Sequence, residues 1–290
     1  MRKEKKPKQK WKLWQKITVT FAALVLLAGI GFLLFPTGSN FIGQKKADAM
    51  VDAFDHAADT ITETVTTDDG AQIDSLAAAK EKGYVDEEGL PVDSVTKSGG
   101  SIVYGSRIIY KSDLQRLLHD SLAYNEMLLT GQGTADTIQY NRPVFDLSTY
   151  GLSDNVYAYI DIEAIDMRLP VYLGADEYVL SYGAAHMYGT SLPVGEGSYN
   201  CAIAGHTNYP GRIFFDNLKK LQIGDTVKLT TYWDTAEYKV IDYKIVTPDN
   251  TDDLLIREGR QLLTLITCIW TGHGQDFDRY IVTCERNAEP

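Results

Sequence analysis

Cysteine is scarce in this chain: Cys201, Cys268 and Cys284 are the only three in 290 residues. So small and odd a number excludes the disulfide framework of a compact secreted scaffold, and it leaves one thiol free unless a partner protein supplies another. No cysteine and histidine grouping has the spacing of a zinc site. Cys201 and Cys284 lie in apolar, strand-like runs and read as core residues, which is favoured over a bridge between them. Positive charge is scarce too, outside the N-terminus. Of the 28 Lys and Arg, eight (Arg2, Lys3, Lys5, Lys6, Lys8, Lys10, Lys12 and Lys16) fall in residues 1–16 beside one acid, Glu4. The remainder holds 20 basic against 38 acidic residues. An acidic body of this kind argues against nucleic acid as a partner.

The charge split flanks the one long apolar run. Ile17 to Phe35 is 19 residues without a charge. As a helix rising about 1.5 Å per residue it spans roughly the 30 Å hydrocarbon layer of a bilayer. The basic tail, residues 1–16, is expected on the cytoplasmic side and the acidic body outside, with Trp11 and Trp14 at the interface. The run is longer than a signal-peptide core, and no small-x-small cleavage pattern follows it. A retained anchor is therefore favoured over a cleaved signal.

Residues 36–110 read as a stalk or spacer. Pro36-Thr37-Gly38-Ser39-Asn40 has the composition of a short linker, and Lys45 to Thr66 is compatible with a helix carrying a thin apolar face. Asp68 to Ser106 is glycine-rich and acidic, with a short helix expected over Ile73 to Lys82. It is open whether this part is a spacer or a small packed insertion. A clearer helix starts at Ser112, a good N-cap, with an apolar stripe from Leu114 through Leu117, Leu118, Ser121, Leu122 and Asn125 to Leu128 and Leu129. Gly131 and Gly133 end it. Residues 111–154 comprise this helix and the segment after it.

From residue 155 to 290 the texture is β. Strands are expected at Val156 to Ile162, Met167 to Leu173, Tyr199 to Gly205, Val227 to Trp233, Tyr238 to Val246, Leu262 to Cys268 and Arg279 to Cys284, with Glu163 to Asp166 as a turn. Val179 to Tyr188 and Phe214 to Leu221 read as short helical segments. Many short strands and few helices point to a barrel or a sandwich, which composition does not separate.

One strand carries the chemistry. Leu262 to Ile266 is apolar throughout, as in a strand covered on both faces, and the run ends on Cys268 before the glycines of Thr271-Gly272-His273-Gly274. A cysteine at a strand end is either a buried small hydrophobe or a nucleophile. A nucleophile needs a base or proton donor and a cation for its thiolate and the oxyanion it creates. His206, in Ala204-Gly205-His206-Thr207-Asn208, and Arg279, in Asp278-Arg279-Tyr280, are the candidates. Thr267 is either a substrate contact or an ordinary β-branched strand residue.

The conjunction resembles a known family. Thr264-Leu265-Ile266-Thr267-Cys268 is similar to the Thr-Leu-x-Thr-Cys signature of sortases, the cysteine transpeptidases of Gram-positive cell surfaces. The order His206, Cys268, Arg279 is the sortase order. Leu169-Pro170-Val171-Tyr172-Leu173-Gly174 resembles the family's Leu-Pro-Ile-Tyr-x-Gly. Tyr124-Asn125-Glu126-Met127-Leu128 and Gly189-Thr190-Ser191-Leu192-Pro193 resemble segments of class C, pilus-building members, with His186 at the place of a non-catalytic histidine. The resemblance runs roughly from Tyr124 to Arg286. It implies a closed eight-stranded β-barrel after a membrane helix, and Cys268, His206 and Arg279 as catalytic residues without metal or cofactor. It also implies a Leu-Pro-x-Thr-Gly-like sorting signal as substrate, and as acceptor either a pilin lysine or the amine of a peptidoglycan cross-bridge. Two departures weaken the class C likeness: the sequence has no Asp-Pro pair for that class's lid, and no second apolar span follows the last strand. Gly133 to Leu152, with Pro143-Val144-Phe145-Asp146, is the candidate for an altered lid. Papain-like hydrolases carry the cysteine before the histidine, the reverse of the order here. A non-catalytic surface-binding domain is the remaining alternative.

Overall fold

The computed structural model describes residues 12–67, 70–87, 89–90, 108–131, 141–152, 155–272 and 277–286. Most of the basic tail lies outside them. A single helix, α1 (Leu13–Asp59), opens the described chain and runs through Pro36 without a break. The linker expected at 36–40 is therefore helical. Ser39 turns its hydroxyl back to the Pro36 carbonyl, and no neighbour lies within 4 Å of where a side chain at Gly38 would stand. Packing of the continuing helix overrides the local turn signals: Gly43, Ala47, Val51 and Phe54, at helical spacing, form a buried stripe against the barrel. Arg168 fixes the contact by forking between Asp52 and Asp55, at 2.9 Å each.

Beyond α1 the chain makes a small unit rather than a spacer. Strands β1 (Val65–Thr66) and β2 (Gln72–Ile73) pair antiparallel, and helix α2 (Leu76–Glu81) comes next, N-capped by Ser75. Val65, Ile73, Leu76, Ala79, Val85 and Tyr110 are their shared core. The unit is pinned to helix α3 (Lys111–Gly131). There the buried Asp113 carboxylate accepts the Leu76 amide at 2.8 Å, and Ser112 donates its hydroxyl to the Asp74 carbonyl. Ser112 thus lies inside the helix, not at its cap. The stripe is also narrower than expected: Leu114, Leu117, Ser121, Tyr124 and Asn125 are buried, whereas Leu122 and Leu129 are exposed. Gly133, expected to help end α3, lies outside the described residues.

The rest closes into one eight-stranded barrel. Its strands are β3 (Val156–Ile162), β4 (Met167–Leu173), β5 (Ala184–His186), β6 (Tyr199–Ala204), β7 (Thr226–Thr231), β8 (Thr235–Val246), β9 (Gln261–Ile269) and β10 (Asp278–Arg286). Around the barrel they run β10, β8, β7, β3, β4, β5, β6, β9. Two neighbouring pairs are parallel, β4 with β5 and β6 with β9. Two elements differ from expectation: Phe214 to Leu221 is helical only as a 3-10 turn over Leu218–Lys220, and Val179 to Tyr188 is not a single helical segment but the end of a one-turn helix, α4 (Glu177–Leu180), and then strand β5. Alanines 184 and 185 favour helix locally, but their backbone is claimed by β4 on one side and β6 on the other. Cys201 and Cys284 are free and buried. Both stand in register with Leu263, so two strand spacings, roughly 9.6 Å, separate them, too far for a bridge.

Candidate active site

Strands β6 and β9 run side by side in the same direction and end at the same rim of the barrel. Beyond β6 stands His206, and near the end of β9 stands Cys268. Arg279 on β10 is the direct cross-strand partner of Cys268. Residues opposed in an antiparallel pair put their side chains on the same face, with Cβ atoms about 4.5–5.5 Å apart. Backbone register alone thus puts the bases of the Cys268 and Arg279 side chains together on one face. Cys268 is the one exposed cysteine.

Three hydrogen bonds lock the two strand ends. The Gly205 amide donates to the Ile266 carbonyl at 3.1 Å, Thr267 donates its hydroxyl to the Gly205 carbonyl at 2.7 Å, and Thr207 donates its own to the Cys268 carbonyl at 2.9 Å. Thr267 is buried and its proton is committed to backbone. Only its remaining lone pair and its methyl are left for any further contact in the groove. Gly205 has a steric reason: a Cβ there would meet the fully buried Phe215 ring at 2.7 Å. The Phe215 amide in turn donates to the His206 carbonyl at 2.9 Å. The loop after His206 is shaped by Asp216, whose carboxylate accepts the amides of Asn208 and Phe214 at 2.7 and 3.0 Å. This loop carries Tyr209, whose ring stacks on the His206 imidazole with centroids 5.3 Å apart and planes 12° apart. The buried Nε2 of His206 has no hydrogen-bond partner among the described residues. Arg279 donates from one guanidinium nitrogen to the Phe277 carbonyl.

Cys268, His206, Arg279 and Thr267 all line one groove of about 240 Å³. The four residues singled out in the sequence therefore meet. Met187, Ile266 and Ile281 give the groove an apolar floor. Pro248, Asn250, Thr251 and Leu254 form a wall that sequence reasoning missed. Buried Asn200 holds this wall, donating to the carbonyls of Asp253 at 2.7 Å and Leu255 at 3.1 Å while accepting from Thr264 at 2.8 Å. The Asp253 carboxylate pairs with Lys244 at 2.6 Å and Arg257 at 3.5 Å. Asn200 between apolar strand residues was the available signal, because a buried amide must find partners.

His186 is not part of the groove. It is fully enclosed, with Nε2 at 3.0 Å from the carbonyls of both Thr190 and Ser191. Burial pulls its pKa down to about 4, so it is neutral. The segment it braces is also gripped by α3. Tyr124 accepts the Gly189 amide at 2.9 Å, and Asn125 exchanges hydrogen bonds with both the amide and the carbonyl of Leu192. The described part of the lid candidate, residues 141–152, packs on α3 through Phe145 and against Gly174, and none of it lines the groove. Gly133 to Tyr140 lies outside the described residues, as do His273 and Asp276 in the loop after Cys268.

An eight-stranded barrel with cysteine, histidine and arginine at one rim defines a class. The model of the sortase domain matches residues 160–287. Over 110 residues the chain is 32% identical to sortase A of Bacillus anthracis, covering 38% of this chain and 50% of that relative. The chain thus spans about half the length of the curated relatives it matches. Among solved structures, sortase C-1 from Actinomyces oris is 32% identical with a TM-score of 0.52, covering 61% of this chain and 99% of that one. The pilus-related sortase C of Group B Streptococcus is 30% identical with a TM-score of 0.53, covering 61% and 91%. The chain belongs to the sortase family.

Proposed function

We propose that this protein is a membrane-anchored cysteine transpeptidase that cuts a sorting-signal peptide and joins the upstream part to an amine. The observation that carries this reading is the Cys268–Arg279 cross-strand pair sharing one groove with His206. The Cys268 thiolate attacks the scissile carbonyl of a peptide lying along the groove. Arg279 donates to the developing oxyanion. The tetrahedral adduct collapses, the C–N bond breaks, and the leaving amine takes a proton from His206. A thioester remains on Cys268. A second amine, giving its proton to His206, attacks the thioester and leaves as the new amide, and the thiolate is restored. The apolar floor suits the Leu-Pro portion of a Leu-Pro-x-Thr-Gly-like signal. Helix α1, with its uncharged run from Ile17 to Phe35, is the anchor, the N-terminus being cytoplasmic and the barrel outside. The test is mass spectrometry of the full-length protein with candidate signal peptides. A peptide acyl adduct on Cys268, absent from Cys268→Ala, is expected; signal cleavage by Cys268→Ala would refute the assignment.

Pilin polymerisation, with a lysine of the next subunit as acceptor, is the preferred role. It is supported by the grip of Tyr124 and Asn125 on residues 189–194, two class C-like segments acting as one unit, and by the likeness to a pilus-related sortase C. Attachment of surface proteins to a peptidoglycan cross-bridge is the second reading. The groove, which none of the described residues 141–152 lines, favours it. Incubation with a pilin-like substrate and with small glycine- or alanine-type amines separates the two. A covalent ladder of pilins supports the first, and efficient transfer to the small amines without a ladder supports the second.

A further inference from the structure

We propose that the His206 side of the groove rests on the lipid headgroups, so that the active site opens at the membrane surface and not into the medium away from it. The inference rests on α1 being the membrane anchor. Every described residue from Lys12 to Gly38 is exposed, and burial begins at Ser39. The last residue of the uncharged run is Phe35. Ser39 lies four residues further on, about 6 Å along the axis, and Gly43 eight residues, about 12 Å. The headgroup layer is roughly 5–7 Å deep on each side of the hydrocarbon. The first contacts between helix and barrel therefore fall at or just outside that layer.

Those contacts are made by the loop that carries the stack on His206. A Cβ at Gly43 would lie 2.3 Å from the Gly211 carbonyl oxygen, and one at Gly211 would lie 3.3 Å from Ser39. Only glycine at 43 lets helix and loop come so close, and Gly211, at φ 78°, takes the left-handed turn that presents its carbonyl there. Tyr209, two residues before Gly211, is the residue stacked on His206. The opposite end of the barrel is far from the bilayer. Tyr232, in the turn between β7 and β8, packs on Phe54 with centroids 4.2 Å apart. Phe54 is 19 residues beyond Phe35, roughly 28 Å. Because α1 is one continuous helix from the apolar run through both contacts, it carries the barrel directly on the anchor.

The surface at that height has the composition of an interfacial belt. Phe41, Ile42 and Ile213 are exposed, and Lys45 lies over the Phe41 ring at 4.9 Å. Lys46 is exposed and Arg212 half-buried beside them. Apolar side chains interleaved with cations suit an anionic leaflet, and they stand out on a body that is otherwise acidic.

The experiment uses the full-length chain in vesicles of phosphatidylcholine and phosphatidylglycerol. Cys268→Ala leaves only the buried Cys201 and Cys284. Ile213→Cys or Thr235→Cys is then added and coupled to an environment-sensitive fluorophore. A nitroxide on the lipid headgroup is expected to remove most of the fluorescence at 213 and to leave that at 235 unchanged. If Ile213→Cys is not recovered folded, exposed Pro210 carries the label instead. Protein that floats with the vesicles but shows equal quenching at both positions, or none at 213, overturns the orientation while the anchor stands. Protein that does not float with the vesicles overturns the anchor and the orientation together.

Discussion

In the barrel interior, Cys201 and Cys284 are fully buried, and desolvation pushes both thiols well above their ordinary range. His186 is buried there too, held neutral by its surroundings. At the rim, Cys268 is exposed on the strand facing Arg279, and His206 has a ring nitrogen without a hydrogen-bond partner among the described residues. Residue type does not distinguish these neighbourhoods. Position along parallel strands does: Cys201 is three residues before the end of β6, while Cys268 is next to the last residue of β9. A strand end delivers a side chain to the surface on a rigid support, and the same residue a few positions earlier becomes packing.

The sharpest way to break this comparison is to remove the thiols one at a time. Cys268→Ala should abolish acyl-enzyme formation without unfolding the barrel. Cys201→Ala and Cys284→Ala should leave kcat/KM near the native value and cost about 1 kcal/mol of stability each. A thiol reagent should modify one cysteine in the folded protein, and a bound signal peptide should protect it. Turnover that depended on Cys201 or Cys284 would erase the distinction between interior and rim. Next in size is the cation. Arg279→Lys keeps the charge but not the planar fork, so kcat/KM should fall roughly 10²–10³-fold, typical of a missing oxyanion donor. Near-native rates would reduce Arg279 to a surface charge.

The two histidines can be separated by pH. The unfolded chain's His186 titrates at about 6.5 and the folded one at about 4. Between these values the unfolded state binds a proton that the folded state does not. Stability should therefore be unaffected by this group above pH 6.5 and decline as pH falls toward 4, by about 3 kcal/mol in full. His186→Gln retains a donor for the Thr190 and Ser191 carbonyls but has no proton to gain. Urea denaturation at neutral and acidic pH should show a shallower acid loss in that variant. An unchanged acid limb would mean that His186 is not the group responsible.

Most strands are legible in the sequence because their patterns are local: the Tyr/Ile alternation of Val156 to Ile162, or the apolar run into Cys268. The pieces that read wrongly depend on distant partners. Ala184-Ala185-His186 is a strand only because β4 and β6 flank it. Residues 36–40 are helical in spite of proline and glycine because α1 continues onto the barrel through Gly43, Ala47, Val51 and Phe54. The site divides the same way. The residues predicted to do the chemistry sit in short motifs and could be named in advance. The groove wall at Pro248 to Leu254 could not, since it takes its place through Asn200, about fifty residues earlier. Tyr209, three residues after His206, was in plain sight, but nothing in the sequence says that its ring turns back on the imidazole.

That stack gives the smallest and most discriminating prediction. Tyr209 touches neither thiol nor guanidinium in the described contacts, and its stack on the ring makes it the candidate for positioning His206. Aromatic pairs are worth about 0.5–1.5 kcal/mol beyond burial, which corresponds to roughly a two- to twelvefold change in rate if the stack matters in the transition state. Tyr209→Ala should lower kcat by that amount with KM little changed, and it should shift the limb of the pH–rate profile that reports His206. Tyr209→Phe keeps the ring and should restore both. Because Tyr209 also packs on Phe214 at 5.7 Å, Tyr209→Ala should lower Tm as well. A loss of Tm with an unmoved pH profile would make Tyr209 part of the interior's packing; a moved profile that Tyr209→Phe rescues assigns it to the rim.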